Sequence, residues 1–111
     1  MAWLVREGDV LAALEVADTH RSRLVGLLGK DGYEGALLLR PGRSVHTIGM
    51  RFPIDVAFCD AHTRVIDMVC PMRRHRFGRP RWAARMVIEA QAGAFERWQL
   101  RVGDQLEVKG E

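Results

Sequence analysis

Arg23, His46, Asp55 and Glu89 are the side chains of this 111-residue chain whose types could combine into chemistry. A histidine oriented by a carboxylate can act as base or acid near neutral pH, and an arginine can hold an anion. In a regular extended segment, odd spacing would put His46 and Asp55 on opposite faces, but Gly49 and Pro53 interrupt the alternation and allow convergence. The expectation is a polar ligand pocket around the His46–Asp55 segment, using His46, Thr47, Arg51 and Asp55, with Arg23 and Glu89 as supports. The same charges could instead serve structure. Asp55 would then accept backbone N–H bonds near Pro53, and Arg23 would pair with Asp55 or Glu89, since buried charges need partners whatever their role.

A second group is electrostatic. Arg73, Arg74, Arg76, Arg79 and Arg81 fall within nine residues that contain no acid. The chain has 17 Lys+Arg against 14 Asp+Glu, a formal charge of +3, so outside this segment 12 basic residues face 14 acidic ones. Phe77 and Trp82 lie among these arginines. That mixture suits phosphate contacts with base stacking, an anionic lipid surface, or an acidic protein partner. It also suits a solvated loop that reflects a general preference for arginine, with 15 Arg to 2 Lys. A nucleic-acid interface is disfavoured, because the rest of the chain offers no extended basic face.

Familiar catalytic signatures fail on spacing. Gly29-Lys30-Asp31 has neither the glycine spacing nor the Ser/Thr of a phosphate-binding loop. His20, His46, His62 and His75 show no metal-ligand spacing, and Cys59 and Cys70 form no Cys-x-x-Cys pair. Neither Ser22 nor Ser44 sits in a nucleophile elbow, and Cys59 precedes Asp60 in no electropositive setting. No metal, cofactor or disulfide is expected, and both cysteines are expected to be reduced and packed in the core. No apolar run approaches the ~18–20 residues of a membrane-spanning helix, and the N-terminal residues do not resemble a secretory signal. A cytoplasmic location is the expectation.

The elements that must position these residues are short. Trp3–Val5 and Val10–Val16 read as strands around a Glu7-Gly8-Asp9 turn. Asp18 or Thr19 offers an N-cap to a helix carrying Leu24, Leu27 and Leu28 on one face and ended by Gly29 with Gly32. Further strands are expected at 36–39, 54–58, 64–69, 86–90 and 106–108. A basic loop spans 71–84, a helical turn or two lies over 94–100, and Val102-Gly103-Asp104-Gln105 forms a tight turn. In a hairpin turning near 61–63, Cys59 would face a residue near Ile66. Such a chain predicts one small, mainly β (α+β) barrel-like domain over residues 1–111, with one or two short helices and no alternating parallel βαβ units.

The order and spacing of several motifs match a known pattern. They are Arg23-x-x-Gly26-Leu27-Leu28, the block from His46 through Pro53-Ile54-Asp55-Val56, Phe58-Cys59-Asp60, Pro71, Val87-Ile88-Glu89 with Gly93, and Val102-Gly103-Asp104. Between about residues 16 and 108 the chain resembles the domain-of-unknown-function 192 family of bacteria and archaea. Many members carry Trp-Met-x-Asn-Thr ahead of the equivalent proline. This chain has His46-Thr47-Ile48-Gly49-Met50 there, so any role of that Asn-Thr pair does not transfer. The resemblance implies a compact β-rich fold with a packed helix, and no established activity. The leading expectation is a non-catalytic accessory or ligand-binding module. The alternatives are a small enzyme with His46 as general base and Asp55 or Glu89 as orienter, and an adaptor for anionic partners acting through the arginine loop.

Overall fold

The computed structural model describes the backbone of all 111 residues and every side chain except those of His20 and Leu24. Strand β1 (Ala2–Arg6) turns into β2 (Asp9–Ala17) through Glu7 and Gly8, whose φ values of 51° and 84° suit a tight two-residue hairpin. Helix α1 (His20–Val25) follows, then β3 (Ala36–Leu39), β4 (Ile54–Cys59), β5 (Val65–Met72), β6 (Met86–Gln91), α2 (Ala94–Trp98) and β7 (Glu107–Lys109). The seven strands form one sheet in the order β5-β4-β6-β3-β2-β1-β7.

All neighbouring strands are antiparallel except β2 and β3, which run parallel with Leu14 opposite Ala36 and Ala17 opposite Leu39. The connection β2-α1-β3 is therefore a single parallel crossover in a mixed sheet, and no alternating series of such units follows it. A six-residue helix gives too weak a periodic signal to reveal that crossover in the sequence. The mainly β expectation holds, but the sheet does not close into a barrel. Its two edge strands, β5 and β7, share no ladder. One corner is pinned by a bridge between Arg64 and Gln105, with Val65 N–H donating to Asp104 O (2.9 Å) and Gly103 N–H to Val65 O (2.8 Å). Asp104 completes that turn by accepting from Arg101 N–H and Arg6 Nη1, each at 3.0 Å.

Helix α1 starts at Thr19, whose hydroxyl accepts from Ser22 N–H (3.0 Å) while Ser22 Oγ accepts from Thr19 N–H (3.1 Å). It ends at Gly26, with φ 49° and ψ −123°, three residues before the expected Gly29. That backbone conformation is open to glycine and strained for other residues. Leu27 is buried and Leu28 half-buried, while the side chain of Leu24, assigned to the same face, lies outside the described ones.

The sheet separates two apolar clusters, because alternate side chains of a strand point to opposite faces. One face gathers Leu4, Leu14, Leu38, Ala57, Cys59 and Ile88 beneath Phe95 and Leu100. The other gathers Leu37, Leu39, Ile54, Val56, Phe58 and Val87 with Leu27, Val45, Met50 and Phe52. Cys59 faces Val65 across the hairpin, next to a register shift, and is buried as expected. Cys70 is exposed, because β5 is an edge strand and this position faces away from the core that its terminal Met72 enters. No helix among the described residues is long and apolar enough to cross a membrane.

Candidate functional site

Register decides where the two carboxylates go. Glu89 on β6 pairs with Leu37 and Val56, so its side chain enters the second cluster, among Leu39, Val45 and Leu27. Asp55 precedes Val56 on β4 and points to the opposite face. There its Oδ2 accepts from Gly93 N–H (3.0 Å) and Phe95 N–H (3.1 Å), fastening the N-terminal turn of α2. Asp55 and Glu89 are therefore separated by the thickness of the sheet.

Glu89 is 5% exposed, and its Oε1 has no hydrogen-bond partner. Burial pushes its carboxyl up to about 7, because an apolar surround disfavours the charged form. The carboxyl borders an open cleft of about 370 Å³ between the end of α1 and the 41–50 segment. Arg23, Arg43 and His46 also line this cleft, with Leu27, Leu28, Leu39, Val45 and Met50 supplying apolar wall. Gly26 covers the carboxylate from above: a Cβ placed there would stand 3.2 Å from Oε1.

The expected site residues thus divide. Arg23, His46 and Glu89 share the cleft. Arg23 is held by its Nη1, which donates to Asp18 O (2.9 Å), and it pairs with neither Asp55 nor Glu89. His46 is exposed at the rim, its ring 6.0 Å from that of Phe77, and among the described residues no carboxylate hydrogen-bonds to it. Arg51 lies outside the cleft, in an exposed ion pair with Asp31 (2.9 Å). Asp55 borders a different cleft with Cys70, Pro71 and Glu96. The pocket expected around the whole His46–Asp55 segment is therefore split, since β4, which begins at Ile54 just after Pro53, carries Asp55 to the other face. Arg43 and Gly26 join the site without having been expected there. The helix-ending glycine three residues after Arg23 was the available signal for Gly26; Arg43 had none beyond following Pro41-Gly42.

Thr47 is buried for a different purpose. Its Oγ1 donates to Arg73 O (2.5 Å) and accepts from Arg76 N–H (2.8 Å), and its own N–H donates to Arg76 O (2.7 Å). With His75 N–H on Thr47 O (2.8 Å) and Gly78 N–H on Val45 O (2.7 Å), these bonds strap the arginine loop to the 45–49 segment. Within that loop, Arg81 is paired internally. Its Nε donates to Asp67 Oδ2 (2.8 Å), which holds that carboxyl below the usual range, and its guanidinium sits 4.3 Å over the Phe58 ring. Arg74 Nε donates to Met50 O (2.8 Å). Arg73, Arg76 and Arg79 are exposed and make no side-chain ion pair among the described residues.

The match to known proteins extends over almost the entire fold. Residues 3–108 fit the model of the domain-of-unknown-function 192 family, described as "Uncharacterized ACR, COG1430". The chain belongs to this family. A UPF0127 protein of Pyrococcus furiosus is 28% identical over 104 residues, covering 89% of this chain and 89% of that protein. A UPF0127 protein of Thermococcus gammatolerans is 33% identical over 97 residues, covering 82% of this chain and 63% of that protein. Among solved structures, a protein of unknown function from Novosphingobium aromaticivorans superposes with a TM-score of 0.78 at 19% identity, covering 96% of this chain and 82% of that one. A Sinorhizobium meliloti protein provisionally named a transcription regulator superposes with a TM-score of 0.81 at 20% identity, covering 99% and 93%. At such identities these two likenesses speak for the fold alone.

Proposed function

We propose that this family member is a non-catalytic module that binds a small molecule in the cleft beside Glu89. The observation that carries the reading is the buried Glu89 carboxyl in the wall of an open cleft, with its Oε1 shielded beneath Gly26 and lacking any hydrogen-bond partner. A buried polar group without a hydrogen bond costs about 1–3 kcal/mol, and a ligand that donates to this carboxyl from the cleft side offsets part of that cost. The fitting ligand has an apolar body for Leu27, Leu39 and Met50 and a hydroxyl or amine for Glu89. Spare guanidinium donors of Arg23 and Arg43 can take a polar or anionic end. A small enzyme is the second reading, favoured by one observation: a carboxyl near 7 suits proton transfer at neutral pH. His46 with Asp55 as its orienter does not fit, since Asp55 lies across the sheet.

Native mass spectrometry of cell-purified protein, followed by a thermal-shift screen, tests the binding reading. A bound small molecule that is retained by wild type and lost by Glu89→Gln supports it. Absence of any bound mass, together with identical screening profiles for the two proteins, overturns it. Turnover of the bound molecule that Glu89→Gln abolishes would replace the binding reading with the enzymatic one.

A further inference from the structure

We propose that the 73–85 loop, with His46 and Ile48 beside it, is a preformed tip that docks on an anionic lipid surface. The inference is independent of the cleft. Phe77 is 80% exposed and Trp82 75% exposed, the two most exposed aromatic side chains of the chain. Ile48, at 40%, adds apolar surface on the neighbouring turn. Two large aromatic rings left exposed on one short loop are apolar surface that the core does not use.

The surroundings of these rings are basic. Arg73, Arg76 and Arg79 are exposed and form no carboxylate ion pair among the described residues, while Asp67, whose charge Arg79 also feels, is bonded by Arg81. An ordinary solvated loop would be free to fold its aromatics away. This one is held by the Thr47 bonds, by Gly78 on Val45, by Arg81 N–H on Arg43 O (2.8 Å), and by Arg85 Nη1 on Trp82 O (3.0 Å). The tip therefore displays Phe77 and Trp82 at little further cost in conformational entropy. Aromatic rings at headgroup level with adjoining guanidinium groups match the chemistry of an anionic bilayer interface.

Charge distribution favours a bilayer over a nucleic acid. The basic surplus is confined to this loop, and the remaining chain is slightly acidic. A nucleic acid tracks across several elements and needs a continuous basic face. An anionic plane can be met by one exposed basic and aromatic loop without a continuous basic face.

Co-sedimentation with phosphatidylcholine vesicles containing about one-third phosphatidylglycerol tests the proposal, with pure phosphatidylcholine vesicles and single-stranded RNA as parallel arms. Wild type is expected to bind the anionic vesicles, to lose binding as salt rises, and to blue-shift its Trp82 fluorescence in a Trp3→Phe, Trp98→Phe background. Each of Arg73→Gln, Arg76→Gln and Arg79→Gln should weaken binding about fivefold, since a basic side chain near such a surface contributes ~1 kcal/mol. Phe77→Ala with Trp82→Ala should weaken it at least about tenfold. Because these side chains are largely exposed, with Phe77 touching only the rim residue His46, the variants should melt close to wild type. Equal binding to neutral and anionic vesicles, no vesicle binding, or tighter binding to RNA than to vesicles at the same salt would each overturn the proposal.

Discussion

The backbone of Gly26 closes over the carboxylate of Glu89, leaving only 3.2 Å between Oε1 and the place a Cβ would occupy. One glycine thus ends α1 and roofs the buried end of the cleft. Gly26→Ala must hold a side chain at φ 49° and push against that oxygen. A loss of about 1–3 kcal/mol is expected, read as a lower urea midpoint at unchanged slope. Wild-type stability of this variant would show that the local backbone relaxes freely.

Glu89 itself should imprint a pH dependence on stability. Its carboxyl rests at about 7 in the folded chain against 4.5 without burial, so the folded state binds more protons between those values. Stability from this group is present below about pH 4.5 and is lost as pH rises through 7. The total change is on the order of 3 kcal/mol, since each tenfold difference in proton affinity between folded and unfolded chain is worth about 1.4 kcal/mol. Urea melts of wild type and Glu89→Gln should diverge in slope across this window. Parallel curves would mean that the folded carboxyl titrates as an exposed one does.

Asp55 anchors the start of α2 in the structure. It supplies both backbone donors at the start of α2 with an acceptor from inside the sheet, in a helix whose capping residue, Gly93, has no side chain to do so. Asp55→Ala leaves two N–H groups without their charged acceptor and should cost about 2–4 kcal/mol. Occupancy of the Glu89 cleft, measured on the surviving folded fraction, should be unchanged. A loss of ligand at wild-type stability would restore the single-pocket arrangement that the sequence suggested.

How much of this was legible follows from which signals are local. Strand positions, a cap at Asp18 or Thr19 (Thr19 in the structure), the Gly8 turn and the Asp104 turn each depend on a few adjacent residues, and each was readable. Pairing Glu89 with Val56 depends on residues 33 positions apart, and a shift of one residue would move the carboxyl to the other face. The sequence therefore pointed to Asp55 and Glu89 as candidates without showing that the sheet divides them. The open sheet was hidden for the same reason, since only the long-range pairing reveals that β5 and β7 touch at a single corner.

The cysteines separate by accessibility. Cys59 is fully buried and burial pushes its thiol up to about 12, whereas Cys70 is exposed on β5. Native protein should therefore react with one equivalent of a maleimide, and unfolded protein with two. Cys70 should react more slowly than a free thiol at pH 8, because partial desolvation and, after it, the Asp55 charge raise its pKa. Two equivalents taken up by the native chain would mean that the β4–β5 hairpin opens.

Thr47 links the cleft wall to the arginine loop, and the consequence can be isolated by an isosteric change. Thr47→Val keeps the volume of a fully buried side chain but removes the hydroxyl that donates to Arg73 O and accepts from Arg76 N–H. Backbone bonds from Thr47 N–H to Arg76 O and from His75 N–H to Thr47 O remain. The loop should therefore stay in place but open more often, at a stability cost of about 1–3 kcal/mol. The Arg76 amide reports this directly. Its hydrogen exchange should accelerate about tenfold or more, while amides of β4 and β6 change only with global stability. Thr47→Ser, which keeps the hydroxyl and loses a methyl, should leave Arg76 protected. If instead Thr47→Val stays protected at Arg76 while Thr47→Ser exchanges faster, the methyl packing and not the hydroxyl holds the loop.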